Sequence, residues 1–214
     1  MRERTQTTAR RLNRAEKREA NRARILRAAR TVFGERGFHA ASIEEIADEA
    51  GLSNGAIYYN FESKGDLFFA LLEERLDERI RHMRRTLAGD RRPVDQALAD
   101  EARDATRSLK ESREWRLLLL EFMPHAARTP SLAPKLRAHK RRVREELAEV
   151  LDKRLAERGV TPPIPADDLA LVATGLANGL AVEELSDPGA VPDELLGDVL
   201  ALLLAQSRSD KDGQ

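Results

Sequence analysis

The stretch from Ser42 to Lys64, SIEEIADEAGLSNGAIYYNFESK, constrains the fold of this chain most strongly. Ser42 followed by Glu45 has the spacing of a capping box, in which each side chain bonds the other residue's backbone N–H at a helix start. Gly51 suits the left-handed conformation that ends a helix, and Leu52 supplies the hydrophobic contact that follows. Between Ser42 and Gly51, apolar residues recur at helical spacing and predict one buried face, which holds Ile43, Ile46, Ala47 and Ala50.

A second short helix is predicted after the turn. Ser53 is suited to cap this helix, with Ile57 pointing inward and Tyr58, Tyr59 and Asn60 outward. Two short helices joined by a tight turn form a helix-turn-helix, whose second helix can enter the DNA major groove. Any helical hairpin needs such caps, so the prediction of DNA binding depends on the exposed tyrosines and asparagines. Tyrosine hydroxyls bond phosphate, and asparagine can pair with adenine.

These residues also carry a family resemblance. The segment GFHAASIEEIADEAGLSNGAIYYNFESKGDLFFALLE resembles the N-terminal domain of tetracycline-repressor (TetR) family transcriptional regulators. The match runs from about Asn21 to Leu72, and the remaining chain agrees in helical layout and length. Many members have a basic residue or Thr at the position of Asn54 and His at that of Asn60, so base preference does not transfer. The resemblance implies phosphate contacts by Ser42, Tyr58, Tyr59 and Lys64, and base-edge contacts by Ser53, Asn54, Gly55 and Asn60.

Charge is distributed unevenly along the chain. Lys+Arg and Asp+Glu number 37 each over the 214 residues. The first 24 residues hold nine basic and three acidic residues, net +6. The first 60 hold 12 basic and eight acidic, net +4, which leaves 25 against 29, net −4, in the rest. A basic end on an acidic body suits a protein that docks DNA at one end.

The fold class is predicted as all-α, with an N-terminal three-helix helix-turn-helix domain and a C-terminal helical ligand-binding and dimerisation domain. Residues 1–20 are interpreted as a basic arm that tracks phosphate or enters a minor groove, or alternatively as a solvated tail or frayed helix start. Residues 21–66 form the DNA-binding domain, 67–207 the body and 208–214 a polar tail. One helix is predicted to end before Gly37, and Ser63–Leu87 is predicted as one unbroken helix that acts as a lever between the domains.

The body is predicted to be helical throughout. Apolar periodicity gives further helices over Val94–Leu109, Trp115–Phe122, Pro130–Gly159, Leu169–Leu185 and Pro192–Ala205. The second of these is predicted to be central, because Leu117 and Leu120 make it apolar all round.

The last two helices are rich in small and apolar residues. They either complete the protomer core or form a four-helix homodimer interface, which the resemblance favours. The candidate interface consists of Leu169, Val172, Ala173, Leu176, Gly179, Leu180, Leu196, Val199, Leu200 and Leu203.

The resemblance also implies a body cavity that binds a small-molecule effector. Few aromatic residues and few buried charges favour a largely apolar ligand of unidentified structure. Core packing is the alternative role for each apolar candidate. The candidate walls are Met83, Leu87, Leu109, Trp115, Leu118, Leu119, Phe122, Met123, Leu136 and Val143, with His125 and His139 as polar anchors.

Other chemistry has no candidate residues in the sequence. There is no Cys, and the four His are scattered without metal-ligand spacing, so no metal, cofactor or catalytic centre is predicted. No P-loop or nucleophile-elbow motif is present. The longest run of Leu, Ile and Val, Leu117–Leu120, is far shorter than the ~20 residues of a membrane span, and the protein is expected to be soluble and cytoplasmic.

Three functions remain on the sequence alone. The first is a homodimeric repressor released from a palindromic operator by a small-molecule effector. The second is a helical adaptor whose helix-turn-helix is only structural, and the third is an enzyme with an unrecognised site.

Overall fold

The computed structural model describes residues 13–87, 113–157 and 161–205, together with residues 96, 100, 103, 104, 107 and 159. These residues contain helices and no strand, which confirms the all-α prediction. Residues 1–12 and the tail 208–214 lie outside the described residues. Most of the predicted Val94–Leu109 helix also lies outside them. The helices are α1 (Arg14–Ala40), α2 (Ile43–Ala50), α3 (Asn54–Asn60), α4 (Lys64–Leu87), α5 (Arg113–Arg128), α6 (Ala133–Glu157), α7 (Ala166–Ser186) and α8 (Leu195–Ala205).

The chain divides into two compact units, Met1–Ala70 and Leu71–Gln214. The division falls inside α4, about one helical turn after the predicted boundary at residue 66. It falls there because the first turns of α4 bury Leu67, Phe68 and Phe69.

Helix α1 begins within the segment interpreted as an arm. Asn13 caps it, accepting from the Glu16 N–H at 2.9 Å while the Glu16 carboxylate accepts from the Asn13 N–H at 2.7 Å. Residues 14–20 are therefore the first turns of a capped helix. Near its other end α1 is broken at Gly37, where φ is 80°. This break agrees with the prediction that the helix ends before Gly37.

The core of the first unit is aromatic and aliphatic. The Phe33 and Phe68 ring centroids are 5.2 Å apart in an edge-to-face arrangement, and Phe38 lies 5.4 Å from Phe68. Ile25, Ile46 and Ile57 are fully buried beside them, one each from α1, α2 and α3. The three helices thus share one hydrophobic core, which fixes α3 by its single buried side chain.

The turn between α2 and α3 depends on Gly51, whose φ of 60° lies in the left-handed region. The Leu52 N–H donates to the Ala47 carbonyl at 2.9 Å, which closes the helix end. Arg24 of α1 adds a contact with no sequence signal, since its Nη2 donates to the Ala50 carbonyl at 2.7 Å. A Cβ at Gly51 would lie 3.2 Å from that nitrogen.

Gly51→Ala is expected to destabilise the first unit by about 1–2 kcal/mol, since an L-residue is strained in the left-handed region. It would also displace Arg24. Thermal unfolding followed by circular dichroism measures the loss. Gly34→Ala is the matched control, because a Cβ at this helical glycine meets nothing within 4 Å. That control should stabilise the protein by up to about 1 kcal/mol, and equal effects of the two changes would contradict the prediction.

The second unit packs α4, α6, α7 and α8 around one cluster. Its buried members are Met83, Ala148, Val150, Leu151, Leu155, Ala166, Leu169 and Ala170, and the partly buried Leu147, Ile164, Leu200 and Leu203 surround them. Helices α6 and α7 form the most extensive contact in this unit. Charged side chains join α4 to α6 at the surface: Arg142 pairs with Glu73 and Asp77, and Arg84 lies 2.9 Å from both Glu146 and Glu149.

Helix α5 is not central, contrary to the prediction from its composition. Leu118 and Phe122 are buried, but Leu117 is 39% and Leu120 46% exposed. Helical periodicity explains the difference, since only one side of α5 packs on other described helices. The two exposed leucines extend an apolar surface instead of filling a core.

Candidate DNA-binding surface

Helix α3 presents its predicted base-reading end to solvent. Ser53 caps the helix with its Oγ accepting from the Ala56 N–H at 3.3 Å, and Ser53, Asn54 and Gly55 are all exposed. Within the described part of the chain the Asn54 side chain has no hydrogen-bond partner. Its amide is therefore available to a base edge, as the sequence predicts.

The outward face of α3 carries both tyrosines. Ile57 is fully buried, whereas Tyr58 is 56% and Tyr59 61% exposed. The Arg18 guanidinium of α1 lies 5.5 Å from the centroid of the Tyr59 ring, within cation–π range. Two exposed phenols and a cation on one surface are suited to bind phosphate.

Basic residues of α1 extend this surface, and sequence reasoning did not single them out. Arg22 lies 5.2 Å from the Phe61 ring centroid, one helical turn after Arg18. The signal was present in the sequence, because Arg14, Arg18 and Arg22 recur every four residues and therefore share one face of a helix. The predicted arm over residues 1–20 has no such helical face, whereas α1 begins at Arg14.

Asn60 does not point outward, and this corrects its prediction as a base reader. Its Nδ2 donates to the Ala56 carbonyl at 2.7 Å, and its buried Oδ1 has no hydrogen-bond partner. Bidentate pairing with adenine also needs the amide oxygen as an acceptor, and this oxygen is buried. Asn60 thus acts at the end of α3 by bonding the last turn.

Ser42 and Lys64 are held by neighbouring backbone and side-chain groups. The Ser42 Oγ lies 3.2 Å from the Glu45 Oε2 in the predicted capping box, and hydrogen bonds from the Ser42 backbone and hydroxyl lower the pKa of Glu45. The Lys64 Nζ donates to the carbonyls of His39 at 3.1 Å and Ala41 at 2.8 Å. Burial lowers the Lys64 pKa. Both remain predicted phosphate contacts, with Lys64 having one ammonium hydrogen left for it.

Lys64→Ala is expected to destabilise the first unit by about 1–2 kcal/mol, since it removes two charge-assisted hydrogen bonds that are partly exposed. If Lys64 also binds phosphate, the logarithmic salt slope of DNA binding should fall by about one unit per protomer. Arg27→Ala, which removes an exposed cation of α1, is the control for stability. Unchanged thermal unfolding for Lys64→Ala would contradict the structural role. An unchanged salt slope of DNA binding would contradict the phosphate contact.

In the described part of the structure the predicted effector-pocket residues lie in several different environments. Met83, Leu118 and Phe122 are buried in packed cores, which is the alternative role considered for them. His139 is buried with its Nδ1 2.5 Å from Glu73 Oε1, and Trp115 lies 4.8 Å from the Arg75 guanidinium. Leu109 and the Leu87 side chain lie outside the described part of the structure. The remaining candidates, His125, Leu136 and Val143, are half-buried.

An open cleft of about 240 Å³ lies between α5, α6 and α7. Leu119 and Met123 are its two predicted members. Its other lining residues, which lie outside the predicted pocket, are Arg116, Leu120, Lys140, Asn178, Ala181, Val182 and Leu185. The sequence signal for this cleft is Arg116, which lies next to the leucine run of α5. Arginine is usually exposed, so an arginine in such an apolar stretch indicates a buried polar site.

The predicted dimer residues fall into two groups. Leu169, Ala173 and Leu196 are buried within the protomer, and Leu200 and Leu203 pack against its core cluster. The buried three contribute to the protomer core, which is the alternative role considered for these helices. Val172 and Gly179 are exposed, and Leu176, Leu180 and Val199 are half-buried.

A capped helix-turn-helix with an exposed polar and aromatic second helix defines a DNA-binding protein. Comparison with known proteins identifies its family. The pattern of "Bacterial regulatory proteins, tetR family" matches residues 25–71, and that of "BetI-type transcriptional repressor, C-terminal" matches residues 105–207. The chain belongs to the TetR family and is a DNA-binding transcriptional regulator.

Individual relatives agree with this assignment. The transcriptional regulator UidR of Escherichia coli is 30% identical over 148 residues, which cover 68% of this chain and 72% of UidR. The transcriptional activator FasR of Mycolicibacterium smegmatis is 42% identical over 70 residues, which cover 33% of this chain and 32% of FasR. The structure of FadR from Bacillus subtilis in complex with stearoyl-CoA has a TM-score of 0.67 at 17% identity, covering 86% of this chain and 98% of that one. The relatives are regulators, not enzymes.

Proposed function

We propose that this regulator is a homodimeric repressor that binds a palindromic operator and is released from it by a small-molecule effector. The exposed outer face of α3, with Asn54, Tyr58 and Tyr59, is the observation that carries the DNA-binding role. One seven-residue helix covers too few base pairs to specify a site alone. A twofold dimer reads two half-sites about one DNA turn apart, ~34–36 Å.

The dimer is supported by the outer face of α7. Val172, Gly175, Gly179 and Val182 recur at spacings of three and four and are all exposed. A Cβ at either glycine would meet nothing within 4 Å, so packing of the protomer does not require glycine there. Glycine lets another helix approach closely, and helical glycine costs about 1 kcal/mol relative to alanine. We therefore place the partner's helices on this stripe.

The hydropathy of α7 supports the same placement. Among the described helices it is the one that is long and apolar enough to cross a membrane by length and composition, yet only 11% of its apolar window is buried. On the neighbouring helix Leu202 is 64% exposed. An apolar surface of this kind usually marks an interaction site. In a regulator that binds DNA, a dimer interface explains the exposed apolar surface of α7. We assign the protein to the cytoplasm, where its DNA lies.

The effector role is supported by the cleft between α5, α6 and α7, which lies in the body and away from α3 in sequence. FadR of Bacillus subtilis, which shares the fold, was solved with stearoyl-CoA. We propose that the effector and the operator favour different arrangements of the two recognition helices. The continuous helix α4 would transmit the change, because it begins in the first unit and continues into the second. Linkage then requires that each ligand weaken the other's binding by the same factor.

A gel shift on DNA from the protein's own promoter region tests the proposed function. The full chain should retard this DNA and should leave an unrelated duplex of equal length free at moderate salt. Repression in a reporter strain distinguishes a repressor from an activator. Sedimentation at micromolar concentration measures the oligomeric state, and a monomer that binds the promoter specifically would contradict the dimer.

A further inference from the structure

One charged side chain in the body lacks the partners that a buried charge requires. Arg116 on α5 is 5% exposed, and its Nε and Nη1 are buried without a hydrogen-bond partner. Buried charges in proteins are normally paired and hydrogen-bonded, because desolvation of the charge is costly. Arg116 lines the cleft between α5, α6 and α7. A charged side chain with unused donors therefore lines this cleft.

A second cation lines the same cleft. Lys140 on α6 is half-buried and has no hydrogen bond or ion pair to the described residues. Burial lowers the pKa of Lys140, and the nearby positive charge of Arg144 lowers it further. Arg116 and Lys140 are thus two partly desolvated cations that line one cleft, and an anion bound there would offset the cost of their burial.

The carboxylate that most raises the pKa of Arg116 already accepts backbone hydrogen bonds. Glu184 lies close enough to raise the pKa of Arg116, which burial otherwise lowers. Both Glu184 oxygens accept backbone hydrogen bonds, from Gly189 at 3.0 Å and Val191 at 3.2 Å. Glu184 thus reduces the charge imbalance without satisfying the Arg116 donors.

Apart from Asn178, the rest of the cleft lining is apolar. Leu119, Leu120 and Met123 form its walls, and Leu120 is 46% exposed. Val182 lies where the cleft meets the proposed dimer stripe. A cavity of ~150 Å³ holds a benzene-sized molecule, so the 240 Å³ here suits a body of about ten non-hydrogen atoms. A longer apolar chain could extend from the open side.

We infer that this cleft binds an apolar anion, whose carboxylate or phosphate is held by Arg116 and Lys140 and whose hydrocarbon body lies against the leucine and methionine walls. The inference rests on the proposed effector-responsive function and gives its ligand a chemical class. Arginine forms two parallel hydrogen bonds to carboxylate or phosphate, which suits the free donors of Arg116. A cationic or neutral ligand would leave these donors unpaired.

Calorimetric titration of the full chain with four eight-carbon probes tests the site. Octanoate and octyl phosphate carry the anion, whereas octanamide and octylammonium match the body without it. At least one anion should bind at least ~tenfold more tightly than the amide, and the ammonium should not bind. The better anion distinguishes a carboxylate from a phosphate ligand. Equal affinity for amide and anions, or no binding by either anion, would overturn the inference.

Two variants assign the recognition to named residues. Arg116→Met should reduce anion affinity at least ~tenfold and Lys140→Met by several-fold, while Arg128→Met, an exposed cation of the same helix, should have no effect. Arg116→Met should also raise the Tm, because an unpaired buried charge is replaced by an apolar side chain of similar length. A lower Tm with unchanged anion affinity would show that Arg116 stabilises the fold instead of binding a ligand. A weaker dimer by sedimentation would show that it stabilises the dimer.

The DNA assay separates this inference from the proposed function. Anion binding that requires Arg116 but leaves operator binding unchanged would retain the anion site and contradict effector release. Operator release by a neutral or cationic compound, with no anion bound in the cleft, would retain the regulator and overturn the anion site.

Discussion

Replacing Tyr59 by alanine is expected to weaken operator binding by roughly 10²–10⁴-fold. The side chain is 61% exposed on the outer face of α3, where its hydroxyl is free to bond phosphate. A hydrogen bond to a charged group contributes ~1.5–3 kcal/mol, and a dimer makes it twice. Anisotropy titration of a labelled operator measures the loss. The loss should be nearly equal on operator variants, because phosphate contacts do not read sequence.

Two controls separate the parts of this side chain. Tyr59→Phe keeps the ring that contacts Arg18 and removes the hydroxyl, so it should reproduce most of the loss if the hydroxyl bonds phosphate. Because the position is exposed, thermal unfolding of Tyr59→Ala should change by no more than ~0.5 kcal/mol. Affinity within about threefold of the wild type in the alanine variant would remove Tyr59 from the interface.

The geometry around the turn was predictable because local interactions determine it. A capping box needs Ser42 and Glu45 three residues apart, and a left-handed helix end needs a residue such as Gly51. Once Ile57 is placed inward, helical periodicity places the neighbouring Tyr58 and Tyr59 outward. Each of these features involves residues close in sequence, and the structure contains all of them.

Side chains with partners distant in sequence were not predictable in the same way. Lys64 bonds carbonyls 23 and 25 residues earlier, and Arg24 bonds a carbonyl 26 residues later. No local pattern encodes such pairs. Local sequence also leaves the role of Asn60 undecided, because an asparagine near a helix end can bond either its own helix or a ligand.

Apolar periodicity also fails to distinguish burial within a protomer from burial between protomers. Leu169 and Val172 both fit an apolar face of α7, but Leu169 is 2% exposed and Val172 44% exposed. The same ambiguity affected the predicted pocket, where Phe122 is fully buried and Leu120 lines the open cleft. Only the packing of α7 against α6 and α8 decides which side of the helix stays exposed.

The exposed side of α7 gives the second large effect, since Gly179→Leu is expected to weaken the dimer at least ~100-fold. A leucine on each subunit would hold apart two helices that glycine allows to approach closely, so interface packing would be lost on both sides. Because one recognition helix is insufficient, binding to the palindrome should fall in parallel. Sedimentation velocity across a concentration series measures the dimer, and a gel shift measures DNA binding.

The protomer itself should remain folded in this variant, because a Cβ at Gly179 meets nothing within 4 Å. Leucine also has a higher helix propensity than glycine, so the isolated protomer should gain up to about 1 kcal/mol. Ala138→Leu, at an exposed position of α6, is the control for an added leucine and should stay dimeric. Helical circular dichroism with a monomeric sedimentation coefficient is therefore the expected combination for Gly179→Leu. A dimer of unchanged affinity would place the interface on another surface, and the Leu117–Leu120 side of α5 would then be the next apolar surface to test.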